Sequence, residues 1–173
     1  MIESKQVGGS TLAGVKPIVP WVDVFPWDTG IWPDNKPQPL DRERLQRQVE
    51  GMLQDAGIEV GYGSAPENDA NAGQLHVLIN MDSLILGTSD QIELRVYAVL
   101  VQVTLQETMC LCRNPNIRRL TTAWSNSTEP SVQRLLPSTV VEKEVSRILD
   151  KELARFVKEY RAANPQTHAE CAR

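Results

Sequence analysis

Residues 139–164, TVVEKEVSRILDKELARFVKEYRAAN, form the longest amphipathic pattern in the chain and decide its fold class. Their apolar side chains recur at helical spacing, which predicts a helix with a single buried stripe. Thr139 and Glu142 match a capping box after Pro137, and Asn164 followed by Pro165 predicts the end of the helix. The stripe consists of Val141, Val145, Ile148, Leu149, Leu153, Phe156 and Tyr160.

A second helix is predicted over residues 40–57, LDRERLQRQVEGMLQDAG. Asp41 is suited to cap its N-terminus, and Leu40 with Leu45 forms a hydrophobic staple. Gly57 can adopt the left-handed conformation that ends a helix. This helix also has one apolar stripe, made of Leu45, Val49, Met52, Leu53 and Ala56.

The residues between the two helices have the pattern of strands. Residues 74–83, QLHVLINMDS, alternate apolar and polar side chains, which predicts a half-buried antiparallel strand. The segment Ile92–Cys112 is too long for an ordinary strand and its apolar phase changes, so we expect a bulge or bend at Tyr97–Val99. Arg113–Asn116 predicts a turn, and Ile117–Ser127 a further strand. The residues expected to be in phase on that strand are Leu120, Thr122 and Trp124.

A first strand precedes the helix at residue 40. Val15–Phe25 is rich in β-prone residues but contains Pro17 and Pro20. Because proline cannot donate a ladder hydrogen bond, we expect an edge strand.

These elements predict an α+β protein, arranged as a two-layer sandwich. An antiparallel sheet of about four strands carries both helices on one face, because each helix has only one apolar stripe. The element order is β-α-β-β-β-α. We expect a flexible arm at residues 1–15, a single α+β domain at 16–165 and a flexible tail at 166–173, with a Pro/Trp-rich edge strand and loop at 16–39.

Charge and hydropathy exclude some classes of function. The net charge is −4, so no overall field favours nucleic acid or an anionic membrane. No stretch approaches the roughly 18 apolar residues of a transmembrane helix. No signal peptide is apparent in this chain, so composition leaves the compartment open.

The sequence contains no recognisable metal-binding or cofactor-binding motif. The three cysteines are Cys110, Cys112 and Cys171, and with His76 they lack the paired spacing of a metal site. We therefore predict neither a metal nor a cofactor. Pairing of one strand cysteine with Cys171 in an oxidising compartment stays open.

Catalytic motifs are also missing. The two histidines are His76 in a strand and His168 in the tail, and no nucleophile elbow or activated-cysteine motif is present. Carboxylates alternate with basic residues as on solvated helix faces. We predict that the protein is not an enzyme and has no catalytic residues.

Three arginines cluster at one predicted hairpin, and a fourth lies nearby in sequence. They have no exposed aromatic residues interleaved between them, which favours a solvated hairpin over a nucleic-acid site. We expect no nucleic-acid partner. These arginines are Arg113, Arg118, Arg119 and Arg134.

The candidate interaction surface is aromatic. It consists of Trp21, Phe25, Trp27 and Trp32, interspersed with prolines. Tryptophan is enriched at binding hot spots, and proline lowers the ordering cost of an extended segment. Two alternatives stay open: the segment covers an edge of its own sheet, or it docks another copy of the chain or a different partner.

Several stretches resemble a group of uncharacterised bacterial proteins that are typically exported. They are LQRQVE at 45–50 before AGI at 56–58, LCRNPNI at 111–117, TTAWS at 121–125, and Phe156 through YRAANP at 160–165. The likeness covers about residues 15–165. The layout is also similar to the N-terminal domain of TolB and related envelope-assembly modules. This resemblance implies topology and export but carries no functional residue.

The sequence thus predicts a non-catalytic binding or assembly module, and the resemblance implies a place in the bacterial envelope or exterior, periplasmic or secreted. A protein partner or self-association is favoured over a small molecule, with no transmembrane segment. The alternative is a structural protein that self-assembles through its N-terminal Trp/Pro-rich segment. A ligand pocket between sheet and helices is a more distant possibility.

Overall fold

The computed structural model describes residues 12–26, 40–63, 72–89, 92–111, 114–126 and 135–165. Its elements, in chain order, are β1 (Ile18–Pro26), α1 (Arg42–Asp55), β2 (Gly73–Ser89), β3 (Ile92–Leu111), β4 (Asn114–Ser125), β5 (Leu135–Pro137) and α2 (Ser138–Ala163). The predicted α+β class and the order β-α-β-β-β-α are confirmed, with the short β5 added before the last helix.

The sheet is mixed and mostly antiparallel. Its strand order is β1-β2-β3-β4, and β5 pairs with β3 beside β4. β1 lies at one edge, as its prolines predict. However, β1 pairs with β2 in parallel, with Ile18 opposite Gly73 and Pro26 opposite Met81, so the prediction of an antiparallel sheet is wrong for this pair. A parallel pair needs a crossover connection, and α1 lies in that connection.

Both helices bury their stripes in one hydrophobic core on the same face of the sheet. Leu45, Val49 and Leu53 of α1 join the core residues of β2, β3 and α2. Asp41 accepts a hydrogen bond from the Arg44 backbone N–H at 3.1 Å, as a cap should. The stripe of α2 is buried at Val141, Val145, Leu149, Leu153, Phe156 and Tyr160.

The predicted boundaries of both helices lie close to the observed ones. Gly57 has a φ of 71°, the left-handed stop expected after α1. α2 begins at Ser138, so Thr139 lies inside the helix and the predicted capping position at Thr139 is wrong. Asn164 directly follows the last helical residue of α2.

The packed part of the chain begins earlier than predicted. Leu12 is fully buried and Val15 is 6% exposed, although the sequence placed both in a flexible arm. Tyr160 Oη donates to the Val15 carbonyl at 2.6 Å, and Asn164 Nδ2 donates to the Leu12 carbonyl at 2.8 Å. These contacts accompany the burial of Leu12 and Val15 in the core, whereas Ala13 and Gly14 between them are exposed. Residues 1–11 and 166–173 lie outside the described residues.

β3 is one continuous strand, so the predicted interruption at Tyr97–Val99 is wrong. The irregularity lies in its neighbour β2, between Ile85 and Gly87, which oppose Arg95 and Leu94. β2 pairs with β3 over nearly its whole length. This pairing satisfies the backbone of a strand longer than the usual five or six residues.

β4 begins at Asn114, so the predicted turn at Arg113–Asn116 is too long. A bulge separates Trp124, opposite Leu105, from Thr122, opposite Gln106. One extra residue in a strand moves the following side chains to the other face. Trp124 is therefore buried while Leu120 and Thr122 are exposed, and the prediction that the three are in phase is wrong.

Candidate interaction surface

One face of the sheet carries the helices, and the opposite face carries the predicted aromatic residues. On β1, Ile18 and Val22 are fully buried towards the helices, whereas Trp21 and Phe25 are 40% and 49% exposed. Strand alternation places these two sets on opposite faces. We define the open face as the outward residues of β1, β2 and β3, namely Trp21, Asp23, Phe25, His76, Leu78, Asn80, Leu100, Gln102 and Thr104.

Strand register makes the open face contiguous. On β1 and β2, Trp21 lies opposite His76, Asp23 opposite Leu78 and Phe25 opposite Asn80. On β2 and β3, His76 lies opposite Thr104, Leu78 opposite Gln102 and Asn80 opposite Leu100. Apolar and polar side chains therefore lie beside one another on neighbouring strands, so the surface combines large contact areas with hydrogen-bonding groups.

Asp23 organises the polar side chains at the edge of the open face. Its Oδ2 lies 3.0 Å from His76 Nε2, and its Oδ1 lies 3.7 Å from Arg42 Nη2. The Arg42 guanidinium also stacks on Trp21, 5.0 Å from the ring centroid. A cation over an aromatic face contributes roughly 0.5–1 kcal/mol at an exposed site. Arg42 and Asp23 thus hold the exposed indole in one orientation.

The outer edge of β1 is capped by side chains of α1. Gln46 Oε1 accepts from the Val22 N–H at 3.1 Å, and Gln46 Nε2 donates to the Pro20 carbonyl at 3.0 Å. Arg42 Nε donates to the Val22 carbonyl at 2.7 Å. At the start of the strand, Ile18 N–H donates to the Glu59 carbonyl at 2.8 Å. β1 is thus an edge strand, as its prolines predict. Its outward backbone N–H and C=O groups form hydrogen bonds with side chains of α1 and with the backbone of residues 59–61.

Two surface grooves border this framework. One, of about 730 Å³, lies between the outer edge of β1, the first half of α1 and residues 61–63, with Trp21 and the 77% exposed Tyr62 among its walls. The other, of about 560 Å³, lies between the helices and is lined by Met52, Val157 and Arg161. Arg161 donates to the Ala56 carbonyl at 2.8 Å at the end of that groove.

The structure places only part of the predicted aromatic set. Trp21 and Phe25 lie on one strand face, whereas Trp27 and Trp32 lie outside the described residues. Sequence reasoning missed Asp23, Arg42 and His76 as partners of Trp21. The spacing Trp21-Asp23-Phe25 is a period-two signal that groups these three, but nothing local links them to His76, 53 positions beyond Asp23.

His76 lies on the polar side of β2, as its alternation predicts, where it is half-buried beside Asp23. Opposite His76, the Thr104 hydroxyl donates weakly to the His76 backbone carbonyl at 3.5 Å. Asp23 thus orients the imidazole by a direct hydrogen bond. This contact fixes the position of the His76 side chain on the open face.

No known family model matches the chain, and no curated protein matches it. Among the described residues, no group of three or more His, Cys, Asp or Glu is placed to hold a metal ion. In the same ranges, neither helix is long and apolar enough to cross a bilayer. Cys110 lies in β3, and Cys112 and Cys171 fall outside the described ranges, so the pairing of one strand cysteine with Cys171 stays open.

Proposed function

We propose that this protein is a non-catalytic binding module that docks a protein partner on the open face, with Trp21 and Phe25 as anchors. One observation carries the proposal. Two large aromatic side chains are 40% and 49% exposed on a sheet face that neither described helix covers. Aromatic anchors of this kind dominate the binding energy of protein interfaces.

Pre-organisation of Trp21 supports the same function. Ordering a side chain on binding costs roughly 0.5–1.5 kcal/mol, and Arg42 reduces this cost by holding the indole in place before a partner arrives. Leu78 and Leu100 continue the apolar area inward from the strand edge, and Asn80 and Gln102 supply amides between them. The open face thus combines an apolar centre with polar groups that fix orientation.

The resemblance to exported bacterial proteins supports a place for this module in the cell envelope or exterior. A small acidic domain that presents one sheet face suits an assembly role there. Self-assembly through the N-terminal Trp/Pro-rich segment is the second candidate. Trp21 and Phe25 belong to that segment and are exposed, so the same side chains would contact another copy.

Site-specific crosslinking tests the proposal. A photo-crosslinking amino acid replaces Phe25 in one variant and Val140 in a control, since Val140 is also exposed at 41% but lies on α2. We expect the Phe25 variant, in its native cells, to capture a partner that the Val140 variant does not. The affinity of the purified pair is then measured with Trp21→Ala, Phe25→Ala and Val140→Ala.

Each aromatic substitution is expected to weaken the purified complex about tenfold or more, as for hot-spot residues, while Val140→Ala leaves it unchanged. Equal affinity of all three variants would overturn docking on the open face. If the Phe25 crosslink joins two copies of this chain, and light scattering shows an oligomer that the aromatic substitutions dissociate, self-assembly replaces the proposal.

A further inference from the structure

The two edges of the sheet differ in whether their outward backbone groups are hydrogen-bonded. The outer edge of β1 is capped by Gln46, Arg42 and residues 59–61. β4 lies at the opposite edge of the strand order. Over residues 119–122, no hydrogen bond joins the outer edge of β4 to any part of the chain that the structure describes.

The register identifies which backbone groups of β4 point outward. Asn126 N–H donates to the Val103 carbonyl at 3.1 Å, so the backbone of Val103 points to the β4 side of β3. Backbone direction alternates along a strand, so Glu107 points the same way and bonds its partner Thr121. Leu120 is next to Thr121 in β4, so it has the opposite backbone direction. Its N–H and C=O therefore point away from β3, towards the outer edge of the sheet.

Neither of the described helices packs on this part of β4. Residues 119–122 are all exposed, although alternate residues of a sandwich strand are normally buried, and Leu120 is 46% exposed. The β3–β4 ribbon thus extends past the helices at this point. An incoming strand would meet free backbone groups and no obstructing helix.

We propose that the outer edge of β4 at residues 118–122 accepts an extended, acidic segment of a partner protein as an added strand. Main-chain hydrogen bonds would supply affinity, and Arg119 would select carboxylates. Arg119 is exposed and forms no ion pair with the described residues, so its charge is available to a partner. This surface is separate from the open-face anchors on β1.

Charge favours this partner over a second copy. Antiparallel pairing of two β4 strands about Leu120 would place the two Arg119 side chains diagonally on one face, roughly 7–8 Å apart. Basic residues on an edge strand commonly prevent self-pairing, and here they leave the edge open to a segment of opposite charge.

Peptide binding to the full chain tests the proposal. The probe is a fluorescein-labelled peptide of about ten residues that alternates threonine and valine with glutamate, the length of an ordinary strand. A matched probe carries lysine in place of glutamate. We expect fluorescence anisotropy to show at least tenfold tighter binding of the glutamate peptide. Hydrogen exchange should slow at the Leu120 amide on binding.

Two substitutions and a control decide the site. Leu120→Pro removes the outward N–H and should abolish binding, and Arg119→Glu should reverse the preference between the two peptides. Arg47→Glu makes the same change of charge at an exposed residue of α1 and should leave the preference unchanged. Trp21→Ala should not affect either peptide.

Equal binding of the two peptides, or an Arg47→Glu effect as large as that of Arg119→Glu, would overturn strand addition at β4. So would unchanged protection of the Leu120 amide in the saturated complex. If circular dichroism shows that Leu120→Pro is unfolded, the charge reversal at Arg119 and the exchange of the Leu120 amide still decide the outcome.

Discussion

The side-chain amide of Gln46 bonds the backbone of Val22 as a neighbouring strand would. Its Oε1 accepts from the Val22 N–H at 3.1 Å, and its Nε2 donates to the Pro20 carbonyl at 3.0 Å. One helical side chain thus satisfies a donor and an acceptor at the free edge of β1. Unpaired edges invite pairing with other chains, so this contact also protects the protein from edge-to-edge association.

Gln46→Leu should therefore lower stability and promote association. Loss of the two bonds to β1 is expected to cost about 1–3 kcal/mol, because buried backbone groups lose their partners. The exposed edge should also make the variant associate as concentration rises. Urea unfolding measures the first effect, and light scattering the second.

Gln48→Leu is the matched control for Gln46→Leu. Gln48 Nε2 donates to Asp150 Oδ1 at 2.6 Å, and its Oε1 accepts from Ser146 Oγ at 3.2 Å, so it joins the helices without touching an edge. This variant should lose stability but stay monodisperse. Equal association of the two variants would show that edge exposure is not the cause.

Gly73 lies where the N-terminal segment and two strands approach closely. A Cβ at this position would lie 2.5 Å from Val15 Cγ1 and 2.9 Å from Leu105 Cδ1. Gly73→Ala should cost about 1–3 kcal/mol through overpacking. Gly51→Ala should instead stabilise by about 0.5–1 kcal/mol, because Gly51 is in α1 and its Cβ would enter open space. Thermal unfolding measures both variants, and the melting temperature should fall for Gly73→Ala and rise for Gly51→Ala.

Tyr160 ties the last helix to the start of the packed chain. Tyr160→Phe removes its hydrogen bond to the Val15 carbonyl and should cost about 1–3 kcal/mol. Burial, with the negative charge of Glu59, raises the pKa of the Tyr160 phenol, so the unfolded chain ionises first as the pH rises past 10. Wild-type stability should therefore fall above this pH.

Urea unfolding at pH 8 and at pH 10.5 separates the two effects of Tyr160. In Tyr160→Phe, the free energy of unfolding should not show the part of the decrease at high pH that comes from ionisation of the Tyr160 phenol. Tyr62→Phe is the control, because Tyr62 is 77% exposed, and it should change stability little at either pH. An identical pH dependence of wild type and Tyr160→Phe would contradict the prediction.

Glu107 carries a buried carboxyl oxygen, Oε1, that has no hydrogen-bond partner among the described residues. Burial raises the pKa of this carboxyl above 4.5, so the unfolded chain loses the proton first as the pH rises. Ionised Glu107 therefore lowers stability above this pH. Glu107→Gln should be more stable than the wild type at pH 7, with a smaller difference at pH 3.5.

Chemical denaturation at the two pH values measures this difference. Glu152→Gln is the control, since Glu152 lies on α2 outside the buried stripe, and it should alter stability little. A Glu107→Gln variant that is less stable than the wild type at pH 7 would show that the ionised carboxyl is stabilising.

The candidate site was only partly predictable from the sequence. Composition and tryptophan density singled out Trp21 and Phe25, and both are exposed on one face. The contacts of Asp23 with His76 and Arg42 join three separate elements, so no local pattern could indicate them. Strand addition at β4 likewise depends on a bulge that the alternation in the sequence concealed.

Both helices could be predicted from local sequence, because helical spacing and end signals such as Asp41 and Gly57 act within a few residues. The edge position of β1 could also be predicted, since prolines exclude that strand from the middle of a ladder. Long-range packing, in contrast, makes β1 run parallel to β2, keeps β3 uninterrupted and places Gln46 at a strand edge. Strand direction and register depend on which distant backbone groups pair, and the free energy of that pairing is shared across the whole sheet.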